Sequence, residues 1–234
     1  MILGFDTATP ETTVAVVHRG ETLFEASAGP GPDGRPAAGR ALLGMVDEAA
    51  TAVGGWDRIA TMAVGRGPGS FTGLRIAIST ARAISQACRI PVAGVDSTAA
   101  LAAGLRERAG EGEERPVVGI VDARRGEVFA AVDRGAGAGE PVVCAPADLA
   151  NALGEGLEGA LAGGDGAVRF RTEIEAIGCE ILADEDPANR LSARQICLLA
   201  AKMEPGGAHF PAGVTPKYMR RPDAERWLER NDGS

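Results

Sequence analysis

Gly65-Arg66-Gly67-Pro68-Gly69-Ser70-Phe71-Thr72-Gly73-Leu74-Arg75-Ile76-Ala77 sets four glycines and a proline around Ser70 and Thr72. A short apolar run at 59–64 leads into it, and a stretch with helical spacing from about 70 to 86 leads out, so the segment turns a buried strand into a helix. Glycine lets a backbone approach whatever faces it, and free N–H groups at a helix N-terminus attract anions. Two readings stay open. One is a phosphate or carboxylate cradle using Gly67, Gly69, Ser70 and Thr72; the other is a tight turn packed on its own chain. It is not a Walker loop, since no Gly-Lys-Ser/Thr follows, and the G-x-G-x-x-G dinucleotide pattern lacks its βαβ setting.

Upstream, β-rich runs at 2–5 and 12–18 are joined through Asp6-Thr7-Ala8-Thr9-Pro10-Glu11, which predicts a hairpin, with 21–27 as a third strand. Residues 29–36 are too rich in Gly and Pro for regular structure. Residues 37–53 carry Leu42, Met45, Val46, Ala49 and Val53 on one helical stripe, stopped by Gly54-Gly55. With a strand at 92–95, residues 1–96 suffice for one α/β lobe. Downstream, 117–132 repeats the opening pattern of strand, Asp122, tight turn Ala123-Arg124-Arg125-Gly126, and strand. That parallel suggests a duplicated lobe, and the charged linker at 106–115 places the division at 1–105 and 106–234. Helices are expected at 146–153 and 192–203, the second with Ser192 as N-cap, a strand at 179–183, and no order at 231–234.

Composition narrows the function. No run of about 18 apolar residues exists to span a membrane, and Asp6 interrupts the N-terminal apolar stretch too early for a signal peptide, so a cytoplasmic protein is expected. Cys88, Cys144, Cys179 and Cys197 form no C-x-x-C pair, and His18 and His209 are the only histidines, so reduced thiols and no metal site are expected. A net charge of −8, from 24 Lys+Arg against 32 Asp+Glu, makes a poor solitary nucleic-acid binder. The small basic groups Arg124-Arg125 and Lys217, Arg220, Arg221 read as solvated surface charge. Neither histidine sits in a motif that could serve a Ser-His-Asp hydrolase.

Asp6 stands where a two-lobed nucleotide phosphotransferase of the actin, Hsp70 and sugar-kinase type would hold a magnesium-associated carboxylate, with Thr7 and Thr9 beside a phosphate. The alternative is a carboxylate that caps its own turn. Asp122 takes the analogous place in the second lobe, but the turn after it lacks the glycine-rich phosphate loop of such enzymes. Gly163-Gly164-Asp165-Gly166 reads as a glycine turn rather than an adenosine contact.

The string 67–75 resembles the signature of the TsaB (YeaZ) family. Three further matches follow the family's order: Gly4-Phe5-Asp6-Thr7-Ala8-Thr9, Val121-Asp122-Ala123-Arg124-Arg125-Gly126-Glu127-Val128, and Pro216-Lys217-Tyr218-Met219-Arg220 followed by Pro222-Asp223-Ala224. The resemblance implies a two-lobed actin/Hsp70-like (ASKHA) α/β fold, each lobe a mixed β-sheet flanked by helices. It also implies a role in forming N6-threonylcarbamoyladenosine beside the anticodon of tRNAs that read A-starting codons. In that family the transfer itself belongs to a paralogue, TsaD, which carries a histidine metal motif; the unpaired histidines here fit the non-catalytic sister subunit. The implied partners are a TsaD-like paralogue in a heterodimer, a TsaE-like ATPase, and tRNA through the complex, with a homodimer possible for the chain alone. No cofactor is expected in the isolated chain, ATP and magnesium being used elsewhere in the assembly. The alternatives are an ATP-dependent phosphotransferase or ATPase that uses Asp6, Thr7 and the glycine loop, and a TsaD-like peptidase. Two departures bear on partner geometry: Ala37-Ala38-Gly39 stands where the family often has a histidine, and the 29–36 loop is unusually rich in Gly and Pro.

Leu42, Met45, Ala49 and Val53 on one helix, with Leu74, Ala77, Ile78, Ala81 and Ile84 on the next, look like more apolar surface than one sheet face needs. They are expected to meet the matching helices of a TsaD-like partner, the alternative being the lobe's own core. A glutamate at Ala49 or Ala81 is then expected to abolish pairing and leave the fold intact.

Overall fold

A computed structural model describes residues 1–110, 112–203, 208–209 and 213–220. The expectation for 231–234, the matches at 222–224, and Arg221 of the basic group lie outside the described residues. The chain opens with the meander β1 (Ile2–Asp6), β2 (Thr12–His18) and β3 (Glu21–Ala28), followed by α1 (Ala38–Ala52), β4 (Thr61–Gly65), α2 (Phe71–Cys88), β5 (Val92–Val95) and α3 (Ser97–Ala109). Then come β6 (Val117–Asp122), β7 (Val128–Asp133), β8 (Val142–Cys144), α4 (Leu149–Leu153), β9 (Leu161–Gly163), α5 (Asp165–Arg169), α6 (Arg171–Ala176), β10 (Glu180–Ile181), α7 (Ala193–Ala201) and β11 (Ala208–His209). The strands make a six-stranded sheet in the order β11-β5-β4-β1-β2-β3 and a five-stranded sheet in the order β10-β9-β6-β7-β8. Both are mixed: β1 pairs antiparallel with β2 and parallel with β4, as β6 does with β7 and β9. The duplicated strand–Asp–turn–strand pattern therefore lies at the same place in each sheet. No helix among the described residues is long and apolar enough to cross a membrane.

Alternation along β1 sorts its two faces. Leu3 and Phe5, with their partners Val16 and Val14, pack under Leu42, Val46, Ala49 and Ala50 of α1 and Ala77, Ile78 and Ala81 of α2. Gly4 faces the other way, where a Cβ would lie 2.5 Å from Cys197 Sγ of α7. The C-terminal helix α7 thus covers the first sheet, while α3, from the first half of the chain, packs on the second: a Cβ on Gly119 of β6 would meet Thr98 O at 2.7 Å. Ser192 occupies the N-cap position of α7, but its side chain does not cap it. Ser192 Oγ donates instead to Glu25 Oε1 at 2.9 Å, and the first free N–H, on Ala193, donates to Thr13 Oγ1 at 3.1 Å.

The stripe on α1 and α2 expected to meet a partner packs mostly inside the chain. Leu42, Ala49, Leu74, Ala77, Ile78 and Ala81 are buried within the chain, and Met45, Val53 and Ile84 are half-buried against the same first-lobe core. Strands lie about 4.8 Å apart and a helix with side chains is about 10 Å across, so a six-stranded sheet needs both helices to cover one face. Six of the nine stripe residues are thereby used up, and only Met45, Val53 and Ile84 keep part of their surface. The large apolar side chains that these helices expose are Leu43, 66% accessible, and Phe71, 42%.

Candidate functional site

Asp6 ends β1 only 1% exposed. Its Oδ1 accepts from the Ala8 N–H at 2.6 Å and its Oδ2 from Ser97 Oγ, also at 2.6 Å. Ser97 Oγ in turn accepts from the Gly67 N–H at 3.2 Å, and the Ser97 N–H donates to Gly67 O at 2.8 Å. Burial pushes the Asp6 carboxyl up from 3.8 to about 6, although the hydrogen bonds from Ser97 and the turn amides pull it down. Thr7 is equally enclosed, its Oγ1 donating to Gly73 O at 2.8 Å.

The glycine loop closes over this turn. Ser70 N–H donates to Ala8 O at 2.7 Å, and Ser70 Oγ caps α2 by accepting from the Gly73 N–H at 3.2 Å. A Cβ on Gly69 would lie 2.5 Å from Ala8 O, one on Gly73 would overlap the Thr7 carbonyl, and one on Gly65 would overlap the Asp6 carboxylate. Between cradle and packed turn, the geometry is that of a clasp on residues 6–8. Of the six side chains and glycines considered for a ligand, Gly69, Ser70 and Thr72 line a cleft, while Asp6, Thr7 and Gly67 lie beneath it.

That cleft, about 550 Å³, separates the lobes. Turn residues Ala8, Thr9 and Pro10 and the start of α2 form one wall; Asp122 to Arg125 and Asp165 form the other, with residues 217–220 along the mouth. Asp122 Oδ1 accepts from the Arg124 N–H at 2.7 Å, and its Oδ2 pairs with Arg124 at 3.1 Å and Arg169 at 2.8 Å. The Asp122 N–H donates to Asp165 Oδ1 at 3.0 Å. Burial, with a smaller contribution from the Asp122 charge, raises the Asp165 carboxyl above its usual range. Arg124 and Arg125 both hold left-handed backbone, φ 62° and 59°, which costs an L-residue about 1 kcal/mol or more each. Read from sequence as dispersed surface charge, Arg124, Arg125, Lys217 and Arg220 converge on this cleft instead. Sequence reading missed Arg66, Asp96 and Ser97: Asp96 Oδ1 takes Arg66 Nε at 2.6 Å and its Oδ2 takes Lys217 Nζ at 2.8 Å. Their one local signal was Asp96-Ser97 after a strand, a helix-start pattern.

Residues 39–170 match the family model described as TsaD: tRNA N6-adenosine threonylcarbamoyltransferase. The tRNA threonylcarbamoyladenosine biosynthesis protein TsaB of Escherichia coli K12 is 35% identical over 129 residues, 55% of this chain and 52% of that protein. That match spans about half the length of the curated relative. An uncharacterized protein of Mycobacterium tuberculosis H37Rv is 31% identical over 96% of this chain and 93% of its own length. Among solved structures, YeaZ from Pseudomonas aeruginosa superposes with a TM-score of 0.75 at 25% identity, covering 93% of this chain and 99% of that one. The fold is the two-lobed actin/Hsp70-like α/β arrangement expected from the sequence.

Proposed function

Since the chain belongs to the TsaB (YeaZ) family, we propose that it is a non-catalytic subunit of a cytoplasmic assembly that forms N6-threonylcarbamoyladenosine on tRNA. In this reading its lobes, 1–105 and 106–234, serve as a scaffold that pairs with a TsaD-type paralogue. A TsaE-type ATPase and tRNA join through the complex. The pairing surface is the outer side of α1, where Leu43 stands exposed, rather than the largely buried stripe between α1 and α2.

The observation that carries the non-catalytic part is the Asp6 carboxylate. Both its oxygens accept hydrogen bonds from the chain itself, from Ala8 and Ser97. A phosphotransferase of this fold needs that carboxylate facing the cleft. The cleft does keep Ser70 and Thr72 on its wall, which is what favours the ATPase as the second reading.

Threonylcarbamoyl transfer, reconstituted from a TsaD-type protein, a TsaE-type ATPase, tRNA and threonylcarbamoyl adenylate, is expected to depend on this chain. A folded Asp6→Asn variant is expected to support it as the wild type does. Full transfer with the chain omitted would overturn the proposal, and loss of ATP turnover by the isolated chain on Asp6→Asn would establish the second reading instead.

A further inference from the structure

Residues 213–220 run across the mouth of the cleft and hold both lobes. On the first lobe, Arg82 Nη2 donates to Val214 O at 2.6 Å and the Lys217 N–H donates to Arg66 O at 2.7 Å. The Tyr218 ring stacks on Phe71 with centroids 5.0 Å apart, and its hydroxyl accepts from Arg75 Nε at 3.3 Å. On the second lobe, Arg220 donates to the carbonyls of Ala123 at 2.7 Å and Arg124 at 3.3 Å, and pairs with Glu127. Lys217 Nζ spans the two, reaching Asp96 Oδ2 at 2.8 Å and Glu140 Oε2 at 2.5 Å.

A second link between the lobes is of another kind. Ala8 and Leu74 from the first lobe, Leu101 of α3, Val121, Ala123 and Phe129 from the second, and Leu191 before α7 form one buried apolar cluster at the floor of the cleft. Burial of that sort persists at any ionic strength. Val214 is itself buried in the first-lobe core, and Met219 packs on the floor cluster. The fastenings at Lys217 and Arg220 are hydrogen bonds and ion pairs at partly exposed side chains, each contributing about 0–1 kcal/mol and screened by salt. Opening the mouth breaks this polar set together with the Tyr218 and Met219 contacts, while Val214, the floor and the two crossing helices α3 and α7 stay packed.

We propose that residues 217–220, anchored on the first lobe through buried Val214, are a latch holding the two lobes closed over the cleft, with the polar groups of Lys217 and Arg220 as its fastening points. This concerns the two halves of one chain and goes beyond the scaffold reading, since it is independent of any partner. A latch transmits: releasing either end loosens the other. A mere surface turn does not.

Hydrogen exchange of the full chain separates the two. The amides to follow are Gly73 and Leu74, bonded to Ser70 on the first lobe, and Ala123 and Glu127, which close the β6–β7 turn on the second. In Arg220→Ala, exchange is expected to rise about fivefold or more at both pairs, with β2 and β3 unchanged. Lys217→Ala is expected to do the same. A rise confined to the second-lobe pair in Arg220→Ala, or no rise at either, overturns the latch. If Arg220→Ala does not fold, the same amides are followed in the wild-type protein from low salt to about 1 M, where the Debye length falls to about 3 Å. Unchanged exchange at either pair there overturns it equally.

Discussion

Asp6 is a charge kept where a charge is costly. Its folded-state value, about 6 against an ordinary 3.8, means that the folded protein holds a proton more tightly than the unfolded chain does. Stability from this group is therefore fullest below pH 3.8 and falls as pH rises to about 6, by about 3 kcal/mol at 1.36 kcal/mol per unit. Asp6→Asn removes the titration, so the wild type should lose about 3 kcal/mol relative to that variant across this window, measured by urea unfolding at each pH. A difference that stays flat with pH would show that Asp6 does not titrate there. The chemical prominence of Asp6 was legible from its place after an apolar strand. Its orientation was not: Ser97, the residue that decides it, stands 91 positions away.

At the scale of elements, α1, α2 and the hairpin were legible because amphipathic spacing and turn glycines are local. The use of their apolar stripe was not, because the number of strands to be covered is a property of the whole sheet. Ala81 is fully buried against the first-lobe core, so Ala81→Glu is expected to bury an unpaired carboxylate and destabilise by several kcal/mol, seen as a large drop in thermal midpoint. That reverses the sequence-based expectation of an intact fold. Leu43→Glu, at an exposed position, is expected to stay within about 0.5 kcal/mol of wild type and yet to lose co-purification with a TsaD-type paralogue. Retained pairing by the Leu43 variant would remove this face from the interface. Helix α3 escaped the sequence reading for a related reason. Its buried residues Ser97, Thr98, Ala100, Leu101, Ala102 and Leu105 do not form one stripe, since the second sheet covers it on one side and α7 on another.

For the molecule as a whole, the crossing of α3 and α7 ties each lobe to the other half of the chain. Leu101, 2% exposed in the bridging cluster, therefore belongs to both lobes. Leu101→Ala is expected to cost about 2–5 kcal/mol and to lower one shared unfolding transition, so that amides of β4 and β9 exchange together; two separate transitions would show that the lobes fold independently. The sequence by itself determined the α/β class, the repeated strand–Asp–turn unit and the family. Periodicity, turn chemistry and a motif are all written between near neighbours. Only the tertiary structure decided that the glycine loop is a clasp, that the helical stripe is core, and that four dispersed cations line one cleft. Burial and hydrogen-bond partners depend on which distant backbones face one another: Thr7 meets Gly73 across 66 residues, and Arg220 meets Ala123 across 97. The glycines announced that something had to come close, and the fold supplied residues 6–8 of the chain's own first turn.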